Sequence, residues 1–125
     1  MHIDIGGEGR YPGAVNVNPS PVTSTTGAPG RPIPNRVAGT GEKLPQGNGS
    51  ADLITVENTP IRPGAPAEIA RVVKPGGEIR LVHPAKYAET AHQQVIQALP
   101  PGATVTRTTV GTGDTAITTT IIKLP

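Results

Sequence analysis

The sequence predicts a single α/β domain built on a mostly parallel sheet, with few helices and an antiparallel hairpin at its C-terminal end. Three observations carry this expectation. Apolar, β-branched runs alternate with two helical segments between residues 51 and 99. The runs ATVTRTTV and TAITTTIIKL then flank Gly111-Thr112-Gly113-Asp114, a four-residue turn suited to a hairpin. A length of 125 residues suits one core rather than two.

The elements follow in order. In HIDIGGEGRYPGAVNVN, residues 2–5 and 14–17 read as short strands on either side of a glycine cluster. Residues 20–34, SPVTSTTGAPGRPIP, have few apolar positions and no period, so they form a long loop or a disordered insert. Residues 33–38 give a poorly defined third strand. ADLITVEN, residues 51–58, places Leu53, Ile54 and Val56 in the near-continuous apolar run of a buried strand. A short helix follows, with Pro66 in its first turn, Glu68 at its positive end, Ile69, Val72 and Val73 on one side, and Pro75-Gly76-Gly77 as its stop. GEIRLVHP supplies a strand that buries Ile79, Leu81 and Val82. KYAETAHQQVIQAL, residues 86–99, is the best helix: Tyr87, Ala91, Val95 and Ala98 recur at helical spacing, Ile96 and Leu99 widen the stripe, and Pro100-Pro101-Gly102 ends it.

Composition narrows the chemistry. Gly (16) and Pro (15) are abundant, Tyr is present twice, and Phe, Trp and Cys are absent, so the core is Ile, Val, Leu and Ala. Without cysteine there is no disulfide, no thiolate nucleophile and no Cys-ligated metal, and the compartment stays open. His2, His83 and His92 have no metal-ligand spacing, so no metal is expected. Eleven basic and nine acidic residues leave a formal charge of +2, spread without a basic helix or an aromatic platform. Solvated surface charge is the favoured reading over nucleic-acid binding. No stretch approaches the roughly 18 apolar residues of a membrane span, and no basic-then-apolar leader opens the chain, so no membrane partner is expected. Met1-His2 directly before a strand suggests a domain cut from something longer.

Two stretches carry a family resemblance. EIARVVKPGGEIRLVHP, residues 68–84, resembles the helix, Lys-Pro-Gly-Gly turn and fifth strand of class I S-adenosylmethionine-dependent methyltransferases. GTGEKLPQGNGSADLITVEN, residues 39–58, is similar to that family's passage from an adenine-contacting loop to its fourth strand. The resemblance covers residues 37–125 and implies a Rossmann-like fold that binds S-adenosylmethionine and transfers its methyl group to an unidentified acceptor. It implies cofactor contacts from Asp4, Gly6, Gly7, Gly9, Asn18 and Thr40, and acceptor handling by Glu57, Asn58 and His83.

Each position has an ordinary reading beside the implied one. Asp4-Ile5-Gly6-Gly7-Glu8-Gly9 is one residue short of the family's glycine pattern, and its glycines serve a positive-φ turn as readily as a cofactor. Asn18 and Thr40 stand where the family has acidic residues, and a neutral amide accepts ribose hydrogen bonds more weakly than a carboxylate. Asn16 and Asn18 alternate with valines as a wet strand face would. Only eight residues, 6–13, join the first two strands, too few for the usual parallel crossover, so the helix after the glycine loop is missing or replaced. Asn58 before Thr59-Pro60 is ordinary turn chemistry as well as a loose acceptor-site match. His83 is a general base or a strand-end histidine capped by Pro84, and His92 is placed at the surface.

The stretch IGGEGRYPGAVNVN is also similar to shortened methyltransferase-like domains at the C-termini of bacterial polymorphic secreted toxins. That likeness implies a delivered effector with a cognate immunity protein as partner; a housekeeping enzyme would be cytoplasmic. The alternatives to an enzyme are a toxin or effector module that keeps the fold without cofactor chemistry, and the second half of a larger enzyme.

Overall fold

In the computed structural model, which describes residues 1–24 and 30–125, the sheet has seven strands among those residues. They are β1 (His2–Ile5), β2 (Val15–Val17), β3 (Arg36–Val37), β4 (Ala51–Glu57), β5 (Val73–Pro84), β6 (Thr104–Val110) and β7 (Ile117–Lys123). Helix α1 (Ala65–Val72) joins β4 to β5, and α2 (Ala85–Ala98) joins β5 to β6. The order across the sheet is β3-β2-β1-β4-β5-β7-β6. All pairs from β3 to β5 are parallel, and β7 runs antiparallel to both β5 and β6. This is the mostly parallel sheet with a terminal hairpin that the sequence predicts.

Both helices pack on one face. Ile69 and Val72 of α1 and Ala91 and Val95 of α2 share a core with Ile3, Ile5, Ile54, Val56, Ile79, Leu81 and Ile122. These strand residues alternate with others because a strand's side chains point to opposite faces in turn. On the other face Glu78, Arg80 and Val82 of β5 stay partly exposed. The connections from β1 to β2, β2 to β3 and β3 to β4 hold no helix among the described residues, so nothing helical covers that face. The composition agrees with this: one layer of Ile, Val, Leu and Ala suffices to fill a single helix-sheet interface.

Three expectations need correction. The third strand is only Arg36–Val37, because Pro34 has no N–H to give a ladder and Asn35 sits at φ 48°. The stripe on α2 keeps Ala91 and Val95, with Ile96 and Leu99 partly buried beside them, but Ala88 and His92 are buried where Tyr87 and Ala98 are exposed. Counting His92 as polar hides that stripe. The Pro75-Gly76-Gly77 stretch lies within β5, as an insertion in its ladder: Val73 pairs with Ala51, and the register resumes at Glu78 and Leu53. Two β-branched valines at the end of α1 favour the early switch to extended backbone.

Of the stretch 20–34, residues 25–29 lie outside the described set. Its two ends pair with each other through an antiparallel bridge between Val22 and Pro32, with the Thr23 amide donating to the Arg31 carbonyl at 2.8 Å.

Candidate functional site

The chain leaves β1 toward β2 and β3 on one side and returns to β4 on the other, so the strand order reverses at β1. Ligands of open α/β sheets bind in the crevice that such a reversal opens beyond the carboxyl ends of the strands. Two clefts lie there. The larger, about 460 Å³, is walled by Glu8, Arg10, Glu57 and Asn58. The smaller, about 220 Å³, is walled by Ile5, Val17, Asn18, Thr40 and Pro60. Gly6, Glu8 and Thr59 border both, so the two clefts meet at these residues.

Asp4 lies beneath the glycine loop and is fully buried. Its carboxylate accepts from Arg10 Nε at 3.0 Å and from the Thr55 hydroxyl at 2.8 Å. Thr55 Oγ1 is in turn 2.9 Å from His2 Nε2. Arg10 also donates to the Glu57 carbonyl at 3.2 Å, and the Tyr11 hydroxyl donates to the Glu57 carboxylate. Arg10 and Tyr11 therefore close the short β1–β2 connection over the ends of β1 and β4, a place that a crossover helix would otherwise take. Burial pushes the Glu57 carboxyl above the ordinary carboxylate value, and the nearby Arg10 guanidinium works against that rise.

Gly6, Gly7 and Gly9 each approach other protein atoms closely, whereas Gly13 has open space beside it. A Cβ on Gly6, which sits at φ 71°, would overlap the Thr59 side chain. One on Gly7 would overlap the Asp4 and Asn16 side chains. Gly9, at φ 106°, faces Pro34, whose Cγ would lie 2.8 Å from a Cβ. Asn18 donates through Nδ2 to the Gly7 carbonyl at 3.2 Å and accepts through Oδ1 from the Ser20 amide at 2.9 Å. It ties β2 to the loop, and its amide oxygen keeps a second lone pair toward the smaller cleft. Thr40 opens a tight turn, its carbonyl accepting from the Lys43 amide at 3.2 Å.

Glu57 ends β4, Asn58 turns the chain at φ 59°, and Thr59 then crosses between the clefts. His83 is absent from both cleft walls. Its ring is buried, with Nε2 2.8 Å from the Thr59 carbonyl and Nδ1 2.8 Å from His92 Nε2. With both nitrogens engaged inside the protein, His83 has no free nitrogen to present as a general base. His92 is likewise buried, not at the surface, and its Nδ1 stands 2.7 Å from Thr120 Oγ1. Burial lowers the pKa of both rings, that of His92 to about 4 with help from His83 and Arg107.

The structure thus brings Gly6, Asn18, Thr40, Glu57 and Asn58 to one crevice; Asp4, beneath the loop, and Gly7, within it, are buried and line neither cleft, Gly9 lies outside both walls, and His83 lies behind them. Sequence reasoning missed Arg10, Tyr11 and Thr59. A signal existed for Arg10: two carboxylates, Asp4 and Glu57, end or nearly end adjacent strands, and a cation stands in the short connection beside them.

No protein-family model matches the chain, and no curated protein matches it. Solved structures do. A SAM-dependent methyltransferase of Thermotoga maritima superposes with a TM-score of 0.68 at 19% identity, over 100% of this chain and 82% of that one. A chain from the Haloferax volcanii complex of the Trm112 methyltransferase activator with a methyltransferase gives 0.63 at 16% identity, over 99% and 82%. The YcgJ protein of Bacillus subtilis gives 0.52 at 14% identity, over 74% and 72%. At such identities the likeness concerns the fold, and the fold of this chain is the Rossmann-like fold of the class I S-adenosylmethionine-dependent methyltransferases.

Proposed function

We propose that this chain is a methyltransferase that holds S-adenosylmethionine across the smaller cleft and admits a methyl acceptor to the larger one. The observation that carries the reading is the pair of clefts meeting at Gly6, Glu8 and Thr59, at the point where the strand order reverses. The residues present suit an adenosyl group. Ile5, Val17 and Pro60 offer flat apolar walls for a base, while Asn18 and Thr40 offer polar atoms to hydroxyls and ring nitrogens.

When bound, S-adenosylmethionine supplies a sulfonium-activated methyl group. The chain's own contribution is placement and exclusion of water, since a displacement between two oriented reactants gains most from being held at attack distance. Glu57, with its raised carboxyl pKa and its Tyr11 partner, is the group in the larger cleft suited to take a proton from an acceptor N–H or O–H. Asn58, beside it, can orient that acceptor.

One observation favours a second reading, a module that keeps the fold without cofactor chemistry: the Thr59 side chain already packs on Gly6. Delivery as a toxin with an immunity partner belongs to this reading and rests on the stretch IGGEGRYPGAVNVN alone. Calorimetric titration with S-adenosylmethionine and S-adenosylhomocysteine decides between the two. The first reading expects saturable binding by both. A folded domain that binds neither up to about 1 mM, some 4 kcal/mol of affinity, belongs to the second.

A further inference from the structure

Two imidazoles, His83 and His92, are buried beside the aliphatic core, and neither lines a cleft. Buried polar groups persist where their hydrogen bonds are complete, and here all four ring nitrogens are used. The direction of the chain of bonds is fixed from one end. The Thr59 carbonyl can only accept, so His83 Nε2 carries the hydrogen. In the neutral form that burial favours for His83, its Nδ1 accepts and His92 Nε2 donates. His92 Nδ1 must then accept, and the Thr120 hydroxyl donates to it while receiving Arg107 Nε at 3.4 Å.

The end point of this chain is the wall between the clefts. Thr59 borders both, its side chain packs on Gly6, and it follows Asn58 in a left-handed conformation that L-residues rarely adopt unaided. Next along the segment, the Tyr87 hydroxyl receives the Ile61 amide at 2.6 Å, and the His83 and Tyr87 rings touch with centroids 5.3 Å apart. The 58–61 turn is therefore held from behind by side chains of β5 and α2.

We propose that His83, backed by His92 and Thr120, is a positioning residue: it fixes the Thr59 carbonyl and with it the wall against which a ligand at Gly6 must fit. The consequence for ligand affinity rests on the adenosyl-binding reading above; the consequence for the turn does not. His83→Leu removes the donor to Thr59, whereas His83→Gln keeps an N–H that reaches toward the same carbonyl. Three measurements on the whole chain test this. In 15N-resolved imidazole spectra of the unmodified protein, both histidines should be neutral with the proton on Nε2; a proton on Nδ1 of either ring overturns the relay. Amide hydrogen exchange should rise on the order of tenfold at residues 58 and 61, whose amides donate to the Val82 carbonyl and the Tyr87 hydroxyl, in His83→Leu and be largely restored in His83→Gln, as expected for one neutral hydrogen bond. Equal exchange in the two variants, or none above the parent, overturns the positioning role. The dissociation constant for S-adenosylhomocysteine should follow the same pattern, weakened in His83→Leu and rescued in His83→Gln. Parent protein that binds no S-adenosylhomocysteine defeats the cofactor reading, while the exchange and tautomer measurements still decide the relay. Tight binding by His83→Leu defeats the relay's link to affinity alone.

Discussion

At the scale of single residues, the glycine loop owes its composition to the protein atoms pressed against it. Gly7 lies where Asp4 of β1 and Asn16 of β2, register partners on adjacent strands, bring their side chains together. Gly7→Ala should therefore cost stability outright, on the order of 1–3 kcal/mol as an overpacking change, read as a lower urea midpoint with an unchanged slope. A fully stable Gly7→Ala variant would show that the loop has room to shift. Gly6→Ala meets Thr59 and a positive φ together, so loss of binding in that variant cannot be separated from a moved turn. These contacts explain the limits of sequence reading at the site. The positions of Asp4, the glycines and Glu57 were legible because they fall at strand ends. The role of Thr59 was not, because its neighbour Gly6 lies 53 positions earlier in the chain and only the parallel pairing of β1 with β4 brings them together.

At the scale of elements, α2 shows what a polar residue on an apolar stripe can conceal. Its existence and length were legible from periodicity and from the prolines that end it, and so were Ala91 and Val95 on its buried face, yet His92 was assigned to the surface because a histidine looks polar. In the structure His92 is the stripe's centre and meets His83 of β5 and Thr120 of β7. The burial has a pH consequence. Burial holds both rings below the ordinary histidine value of 6.5 when folded, and that of His92 at about 4, so between 6.5 and about 4 the unfolded chain binds a proton at His92 that the folded chain refuses, and His83 acts in the same direction. Stability is then complete above 6.5 and is lost as the pH falls through that window, by about 1.4 kcal/mol per pH unit at His92. Urea titrations at pH 7, 6, 5 and 4.5 should show this decline beyond what the carboxylates contribute. His92→Phe, which fills similar space without titrating, should be less stable at pH 7 and lose less on acidification. A variant with the parent's full pH dependence would mean that the decline arises elsewhere.

At the scale of the whole molecule, the fold is an open sheet with helices on a single face, and this was legible only in part. The order of elements and the hairpin follow from the sequence of apolar runs, whereas the second face had to be seen, since a short connection between strands says that a helix is missing without saying what replaces it. Strand β5 lies inside the sheet, between β4 and β7, and reads both faces in alternation. Ile79 and Leu81 point into the helix layer and are fully buried, while Glu78, Arg80 and Val82 point to the other side and are partly exposed. Truncation along this strand should therefore alternate in cost. Ile79→Ala and Leu81→Ala should each lose about 2–5 kcal/mol by leaving a cavity under α2. Arg80→Ala, between them, should stay within roughly 0.5 kcal/mol, as substitutions away from packed features do. The comparison is internal to one strand, so errors in the unfolded reference largely cancel. A cost at Arg80 that matched its neighbours would mean that something packs on the second face in solution, and the single-layer architecture would then be wrong. An alternating profile would establish that one helix-sheet interface, built without phenylalanine or tryptophan, carries the stability of the entire domain.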